Sequence, residues 1–515
     1  MLDINKFHLN KNNSNSYEVI KNLKVFIDNF VSSGELRNAL IDISKLLNVD
    51  NYVLEKKTKK FISNQFSYKK NKFINFSSIF NILKDYIIFI FILFKILFFS
   101  KNQETKLKTE IILFNVDYID EIEKFKNVLK KFENSTIITN REIKFNKSSK
   151  YLSDEYLKKN LTAYYNNDKL VFSYKDKPQN FTFKTHLINK NKVPLISNCL
   201  KNKSDLFKFV SKYLLKSVKH KFNYVKILNL IIYSYVKNFS IFKLYKSSNL
   251  IQDRIYNTCS IRNYLFKKEG GKKCFCLQTH LAEGSINMFN DIDVLLSFAD
   301  EQSTKNFMSE FGSRIDKIVP VGSLRCESYL NGSSQEFSDK KKIDILVIGV
   351  NLFNWLYVNH AQKTNYYKFI KLIKELSISE KKLNIFMKHH PNNIADKDER
   401  EILKNSNVKY INPKLNSYKF IENTKIFLSF SSTMIIEVYG AGRTGYFVDP
   451  DKNNNVFFEK NNSLRKIRLS DLEELKKVVS EKMNLDKGIN NYNDICLKSD
   501  NVSNLIFKNL KSQII

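Results

Sequence analysis

Glycine and proline are scarce in this chain, at 12 and 6 of 515 residues, and no G-x-G-x-x-G follows the first expected strand, Glu110–Val116. That absence disfavours a nicotinamide or flavin site, whose pyrophosphate needs such a turn. Cysteine is scarce too. Cys199, Cys259, Cys274, Cys276, Cys326 and Cys496 form no C-x-x-C pair, and no histidine-rich metal spacing goes with them. A metal centre is therefore not expected, and the thiols suit a reducing cytosol. Arginine-rich and glycine-rich blocks are missing, so the formal charge of +33 comes mainly from lysines spread along the whole chain. A basic excess of that size ordinarily points to nucleic acid. Its even spread, in a chain rich in Asn, Ile and Phe, points away from such a partner. Part of the charge reads as drift of an AT-rich coding sequence, and part as affinity for anionic lipid and phosphorylated substrates. The opening MLDINKFHLNKNNSNS lacks the basic-then-apolar order of a signal peptide. Long apolar runs are missing as well: the densest, Tyr86–Phe99, falls short of the roughly 20 residues a spanning helix needs.

What is present suggests several units. Ser16–Val49 carries apolar residues at helical spacing and reads as two helices, within a helical appendage over residues 1–72. A basic patch, Lys69–Lys72, precedes the apolar stretch Phe73–Phe99. On a helical wheel Ser78, Asn81, Lys84, Asp85 and Lys95 share one side, which suits a helix lying in a membrane interface over residues 73–100. A buried core helix and a spanning helix are the competing readings. Strand Glu110–Val116, helix Tyr118–Phe132 and strand Ser135–Thr139 open a Rossmann-like domain, expected over 108–330, with Asn115 and Asp117 at a strand end. Asn140–Lys192 reads as polar and irregular apart from strand-like patches such as Lys169–Tyr174; Ser204–Lys246 reads as apolar helix. The polar stretch Asn331–Lys342 is the clearest boundary, and a second Rossmann-like domain is expected over 343–515 with closing helices.

The most informative stretch is Leu383–Pro450. Two apolar runs of strand length, Leu383–Met387 and Lys425–Phe430, each end in a polar cluster. The first cluster is Lys388, His389, His390 and Pro391; the second is Ser431, Ser432 and Thr433, followed by the apolar helix Met434–Tyr439 and the strand Tyr446–Val448. This is βαβ order, and open parallel sheets bind ligands at the carboxyl ends of their strands. Hydroxyls and unpaired amides at a helix start suit an anion, with His390 as a further donor or positive charge. The expected anion is the phosphate or diphosphate of an activated donor. Read alone, the serine cluster would be an N-cap and the His-Pro a turn; their pairing at matching strand ends favours an anion site. The second domain opens earlier, with strand Ile343–Gly349, whose end carries Asn351 and the aromatic pair Trp355 and Tyr357.

K-x-H-P after a strand, then S-S-T-x-x-x-E some forty residues on, resembles the C-terminal half of bacterial surface-polysaccharide transferases of the GT-B type. These include capsule polysaccharide proteins, CDP-glycerol glycerophosphotransferases of teichoic acid synthesis, and bacterial sialyltransferases with HP and SS/ST motifs. The resemblance covers Ser247–Asp451. It extends to a helix through Arg262 and Tyr264 that stops at Gly270 and Gly271, then the strand Lys273–Leu277 and Gln278-Thr279-His280. This is similar to the family's Q-H-G, whose histidine is the implied general base, with one extra residue and Leu281 in place of the glycine. Ile318–Arg325 is similar to the family's h-x-V-G-S-x-R, which implies that Gly322 and Ser323 border an interdomain cleft. Asp291-Ile292-Asp293 matches the D-x-D metal motif of GT-A enzymes, but precedes its apolar strand, Val294–Phe298, instead of following it. The metal reading is rejected.

The expectation is therefore an α/β chain of GT-B-like fold, with two Rossmann-type domains facing a central cleft. Its activity would be a metal-independent transfer of a glycosyl or polyol-phosphate group, from a nucleotide-activated donor to a cell-surface polysaccharide or lipid-linked acceptor. The place would be the inner face of the cytoplasmic membrane, with no cofactor. His280 would take the acceptor proton. His390 would assist the departing nucleotide phosphate, held with Lys388, Ser431, Ser432, Thr433, Gly322 and Ser323. Glu437 is suited to ribose hydroxyls or to being a solvated helix residue. A nucleotide-sugar epimerase or hydrolase on the same fold is the alternative, as is a non-catalytic module of a polysaccharide assembly complex.

Overall fold

The computed structural model of the chain describes residues 25, 27–31, 34–68, 79–98, 107–114, 116, 119–140, 161–166, 169–174, 181–196, 200, 202–220, 222–253, 258–279, 291–308, 314–330, 342–349, 360–389, 395–450, 462–483 and 494–512. Six helices form its first layer: α1 (Glu35–Leu47), α2 (Asn51–Tyr68), α3 (Ile79–Phe98), α4 (Lys203–His220), α5 (Tyr224–Leu244) and α6 (Ser260–Lys268). In α1, Leu36, Ala39, Leu40, Ile43 and Leu47 fall on one buried stripe, the spacing that makes an amphipathic helix. Helix α3 buries only Ile82, Phe89, Leu93 and Ile96, and packs on α4 and α5. Its Tyr86 hydroxyl lies 2.7 Å from Ser211 Oγ. Asp85, expected on a polar outer stripe, instead accepts a hydrogen bond from Asn223 Nδ2 at 2.7 Å. What α3 turns outward is largely apolar. No helix among the described residues is long and apolar enough to cross a membrane.

The layer covers a nine-stranded sheet of β1 (Ile111–Phe114), β2 (Ser135–Thr139), β3 (Leu161–Asn166), β4 (Lys169–Tyr174), β5 (Phe181–Asn189), β6 (Asn249–Gln252), β7 (Lys273–Leu277), β8 (Asp291–Ser297) and β9 (Arg314–Pro320). Its spatial order is β9-β8-β7-β6-β1-β2-β5-β4-β3. All neighbours are parallel except β5-β4 and β4-β3, which form an antiparallel edge. Of the three strands between 140 and 192, β4 stands at the expected strand-like patch Lys169–Tyr174, while β3 and β5 stand where the sequence reads as irregular, their alternation masked by polar residues. Along β1 alternate residues enter different cores: Ile112 and Phe114 join the six helices, while Ile111 and Leu113 face the other way. A strand buried on both faces reads as one apolar run.

A second, six-stranded parallel sheet comprises β10 (Ile343–Ile348), β11 (Ile385–Lys388), β12 (Lys409–Ile411), β13 (Thr424–Ser429), β14 (Thr444–Val448) and β15 (Arg468–Leu469), in the order β12-β11-β10-β13-β14-β15. Numbered within this sheet the order is 3-2-1-4-5-6, that of a Rossmann fold, with its switch point between β10 and β13. The later helices used below are α7 (Leu324–Leu330), α8 (His360–Ser379), α9 (Lys397–Ile402), α10 (Met434–Gly440), α11 (Leu472–Met483) and α12 (Val502–Lys511). The last of these leaves the second sheet. Val502, Ile506 and Leu510 of α12 are buried with Ile111, Leu113, Ile251 and Phe275 under the first sheet.

The carboxyl edges of the two sheets meet. Ser323, just past the end of β9, donates its hydroxyl to Glu437 Oε1 on α10 at 2.7 Å, and α10 follows the carboxyl end of β13. Two Rossmann-type sheets set edge to edge in this way are the GT-B-like arrangement expected from the sequence.

Candidate active site

The second sheet's switch point lies between Gly349, after β10, and the turn Phe430–Thr433, after β13. Ser429 builds this turn. Its hydroxyl donates to the Ile348 carbonyl at 2.7 Å, stitching β13 to β10, and accepts from the amides of Ser431 (3.3 Å) and Ser432 (3.1 Å). Ser432 Oγ accepts from the Met434 amide at 3.3 Å. Helix α10 is seven residues long, and its N-cap, Thr433, makes no side-chain capping bond. The expected cradle of unpaired amides is therefore largely spent on the turn itself, and the hydroxyls are what the turn offers. One of them is distinctive: Ser431 Oγ is buried with no hydrogen-bond partner among the described residues. A buried hydroxyl left unbonded costs about 1–3 kcal/mol, a cost that a ligand oxygen would remove.

On the other side of β10, the end of β11 is held by a second polar knot. Lys388, expected to bind the donor, is fully buried, and its ammonium donates to the carbonyls of His389 (2.5 Å) and Pro413 (2.8 Å). Its observed partners belong to the strand end. His389 Nε2 lies 2.8 Å from Glu399 Oε1 on α9, and the hydroxyls of Tyr410 (3.1 Å) and Tyr366 (2.9 Å) donate to the same carboxylate. The His389 ring packs so close beneath Gly349 that a Cβ there would sit 2.4 Å from Nδ1. The sequence places this histidine in the polar cluster but gives it no role. Nothing in K-H-H-P says which imidazole turns inward, although Glu399 ten residues on was a possible signal. His280 and His390, the expected catalytic pair, lie outside the described residues, as do Asn115, Asp117, Asn351, Trp355, Tyr357 and Cys199.

The seam between the sheets is closed by a third knot. Glu437 is buried, and both of its carboxylate oxygens accept hydrogen bonds within the protein, from Ser323 Oγ and from the Tyr418 hydroxyl. Burial pushes its carboxyl up, opposed by Arg325, Ser323 and Tyr418. The carboxylate thus joins the domains, in place of the solvated or ribose-facing role that its position on α10 suggested. Behind it Lys124 and Asp253, both buried, pair at 2.5 Å. Gly322 and Ser323 do stand at the interdomain boundary, packed and closed. The Ser323 amide donates to Ser499 Oγ at 2.9 Å, and Gly322 (φ 85°) would place a Cβ 2.9 Å from the Leu497 carbonyl. Asp291 and Asp293 lie at the start of β8, at the opposite edge of the first sheet. Asp291 pairs with Arg314 at 2.7 Å and Asp293 with Lys267, so each carboxylate serves an ion pair.

No protein-family model matches the chain, and no curated protein matches it. Solved structures do. A putative UDP-N-acetylglucosamine 2-epimerase from Listeria monocytogenes is similar over 80% of this chain and 97% of its own, at 11% identity and a TM-score of 0.43. The UDP-GlcNAc 2-epimerase from Neisseria meningitidis, bound to UDP-GlcNAc, is similar over 79% and 100%, at 12% identity and a TM-score of 0.42. The wall teichoic acid polymerase TagF is similar over 84% and 98%, at 9% identity and a TM-score of 0.43. Likenesses this distant assign no reaction, substrate or partner to this chain.

Proposed function

We propose that this chain is a transferase that moves a glycosyl or polyol-phosphate group from a nucleotide-activated donor to a surface-polysaccharide acceptor at the inner face of the cytoplasmic membrane. The observation that carries this reading is the unbonded, buried Ser431 hydroxyl beside Ser432 and Thr433, at the switch point of a 3-2-1-4-5-6 sheet, where such sheets take nucleotides. The donor phosphate would lie against these hydroxyls. His280 would accept the proton of the acceptor hydroxyl as its oxygen bonds to the transferred group. The bond from that group to the nucleotide would break, its electron pair leaving with the nucleotide phosphate. His390 and the three hydroxyls would stabilise the charge gathering there. The knot around Lys388, His389 and Glu399 would hold the neighbouring strand end in place, and Glu437 and Ser323 would keep the two sheets in register.

An epimerase or hydrolase acting on a free nucleotide sugar would need no lipid surface. Phe80, Ile87, Phe91 and Phe98 of α3 are 76%, 66%, 61% and 68% exposed, which favours an acceptor carried on a membrane. A panel of UDP-, CDP-, CMP- and GDP-linked donors, screened by thermal stabilisation, is the test. One member should raise the melting temperature, and release of its nucleotide should require an acceptor and fall at least about a hundredfold in His280→Ala. Nucleotide release at full rate without acceptor would favour the hydrolase, and no stabilisation by any donor would end the reading.

A further inference from the structure

Cations gather at the other switch point, where β1 and β6 of the first sheet end. Arg262 of α6 is buried. Its Nη1 donates to the side chain of Gln252, the last residue of β6, at 2.8 Å, and its guanidinium lies 4.6 Å from the ring of Phe114, the last residue of β1. From α2, Lys60 donates to the Thr258 carbonyl, two residues before α6 begins, at 2.5 Å. Lys190 follows directly on β5, and Lys237 of α5 donates to the Val193 carbonyl in the same turn at 2.8 Å. Lys57, one turn before Lys60, lies within electrostatic reach of Lys60, Lys190 and Cys259. Five cations from four separate segments are thus drawn to one edge of one sheet.

Assembling like charges at a half-buried edge around the buried Arg262 and Lys237 opposes folding, because each loses hydration and repels the others. The strain is visible. Burial, then Lys57 and Arg262, bring the Lys60 ammonium down to about 7, and burial, then Arg262, Lys57 and Lys237, bring Lys190 to about 8, each opposed by Cys259. Burial pushes the Cys259 thiol up, yet Lys57, Arg262 and Lys60 more than reverse it, to about 6. The field at this edge is positive enough to favour a buried anion. We propose that this cluster, at the carboxyl ends of β1 and β6, is a binding site for a phosphate-bearing group of the acceptor. Point-charge ammonium groups converging from several directions around a guanidinium suit a tetrahedral, multiply charged oxyanion. The role as acceptor site rests on the transferase reading above; the anion site does not.

Two probes test it on the full chain: inorganic pyrophosphate by calorimetry, in the presence of whichever nucleotide saturates the donor site, and phosphatidylcholine vesicles doped with phosphatidylglycerol by flotation. The variant is Lys57→Gln with Lys190→Gln, both only partly buried, with Lys190→Gln alone in reserve if the pair melts early. Pyrophosphate affinity should fall at least about tenfold, while nucleotide affinity stays within about twofold. Loss in the pyrophosphate arm supports a soluble or polymer-borne phosphate, and loss in the vesicle arm alone supports a lipid headgroup. Unchanged binding in both arms, or no pyrophosphate and no vesicle binding by the wild type, overturns the proposal. If no nucleotide binds but pyrophosphate still titrates into the wild type and not the variant, the transferase reading fails and the anion site stands.

Discussion

Glu399 shows how much depends on single side chains around the site. It takes hydrogen bonds from His389, Tyr366 and Tyr410, and it is fully buried. Glu399→Ala would leave those donors unpaired in the interior, a loss of about 2–4 kcal/mol. Denaturant unfolding should report it as a lower midpoint with an unchanged slope; a loss below about 0.5 kcal/mol would mean that the knot does not hold the strand end. At this scale the sequence was partly legible. Ser431, Ser432 and Thr433 stand, as expected, in the turn between a buried strand and an apolar helix. Lys388 and Glu437 looked like ligand residues because type and spacing reveal a charge but not its burial, and both prove to be engaged inside the protein. The adjacent histidines were ambiguous for the same reason.

At the scale of elements, strongly periodic segments were legible to within a residue or two: Ser135–Thr139 and Lys273–Leu277 are strands at the expected bounds. Strand β4 also stands at the expected Lys169–Tyr174, whereas its hairpin partner β3 and the long strand β5 were hidden, because polar residues break up their apolar runs. Helix α3 was legible as an apolar helix, but not in its orientation. Asp85, the centre of its polar stripe, turns toward α5's N-cap Asn223, and the exposed face is led by Phe80, Phe91 and Phe98. Each phenylalanine that enters a bilayer interface contributes up to about 1.5–3 kcal/mol. Phe80→Ser, Phe91→Ser and Phe98→Ser together should therefore lower partitioning onto anionic vesicles at least roughly a hundredfold. The melting temperature should hardly move, since all three side chains are exposed. High salt, which screens charges over about 8–10 Å, should release the wild type only partly. A triple variant that floats like the wild type would remove the membrane-docking face.

For the whole molecule, the sequence pointed to two Rossmann-type units, and the strand orders and the meeting of carboxyl edges bear out that fold. The interdomain seam was legible only at Gly322 and Ser323. Ser323, Tyr418, Glu437 and Ser499 are far apart in the chain, and only the folded arrangement of α10, the turn before α7 and the segment before α12 brings them together. The cation cluster escaped for a related reason: in a chain with 85 lysines and arginines, Lys57, Lys60, Lys190, Lys237 and Arg262 are inconspicuous until four segments converge. The central claim is that the turn after β13 holds the phosphate of a nucleotide. It is tested most directly by calorimetric titration of the stabilising nucleotide into the wild type and into the triple variant Ser431→Ala, Ser432→Ala, Thr433→Ala. Ser429 builds most of the turn and the three hydroxyls add one long bond, from the Met434 amide to Ser432 Oγ at 3.3 Å, so the variant should melt within a few degrees of the wild type and bind the nucleotide at least about tenfold more weakly. Equal affinity in a variant that melts like the wild type would contradict the claim.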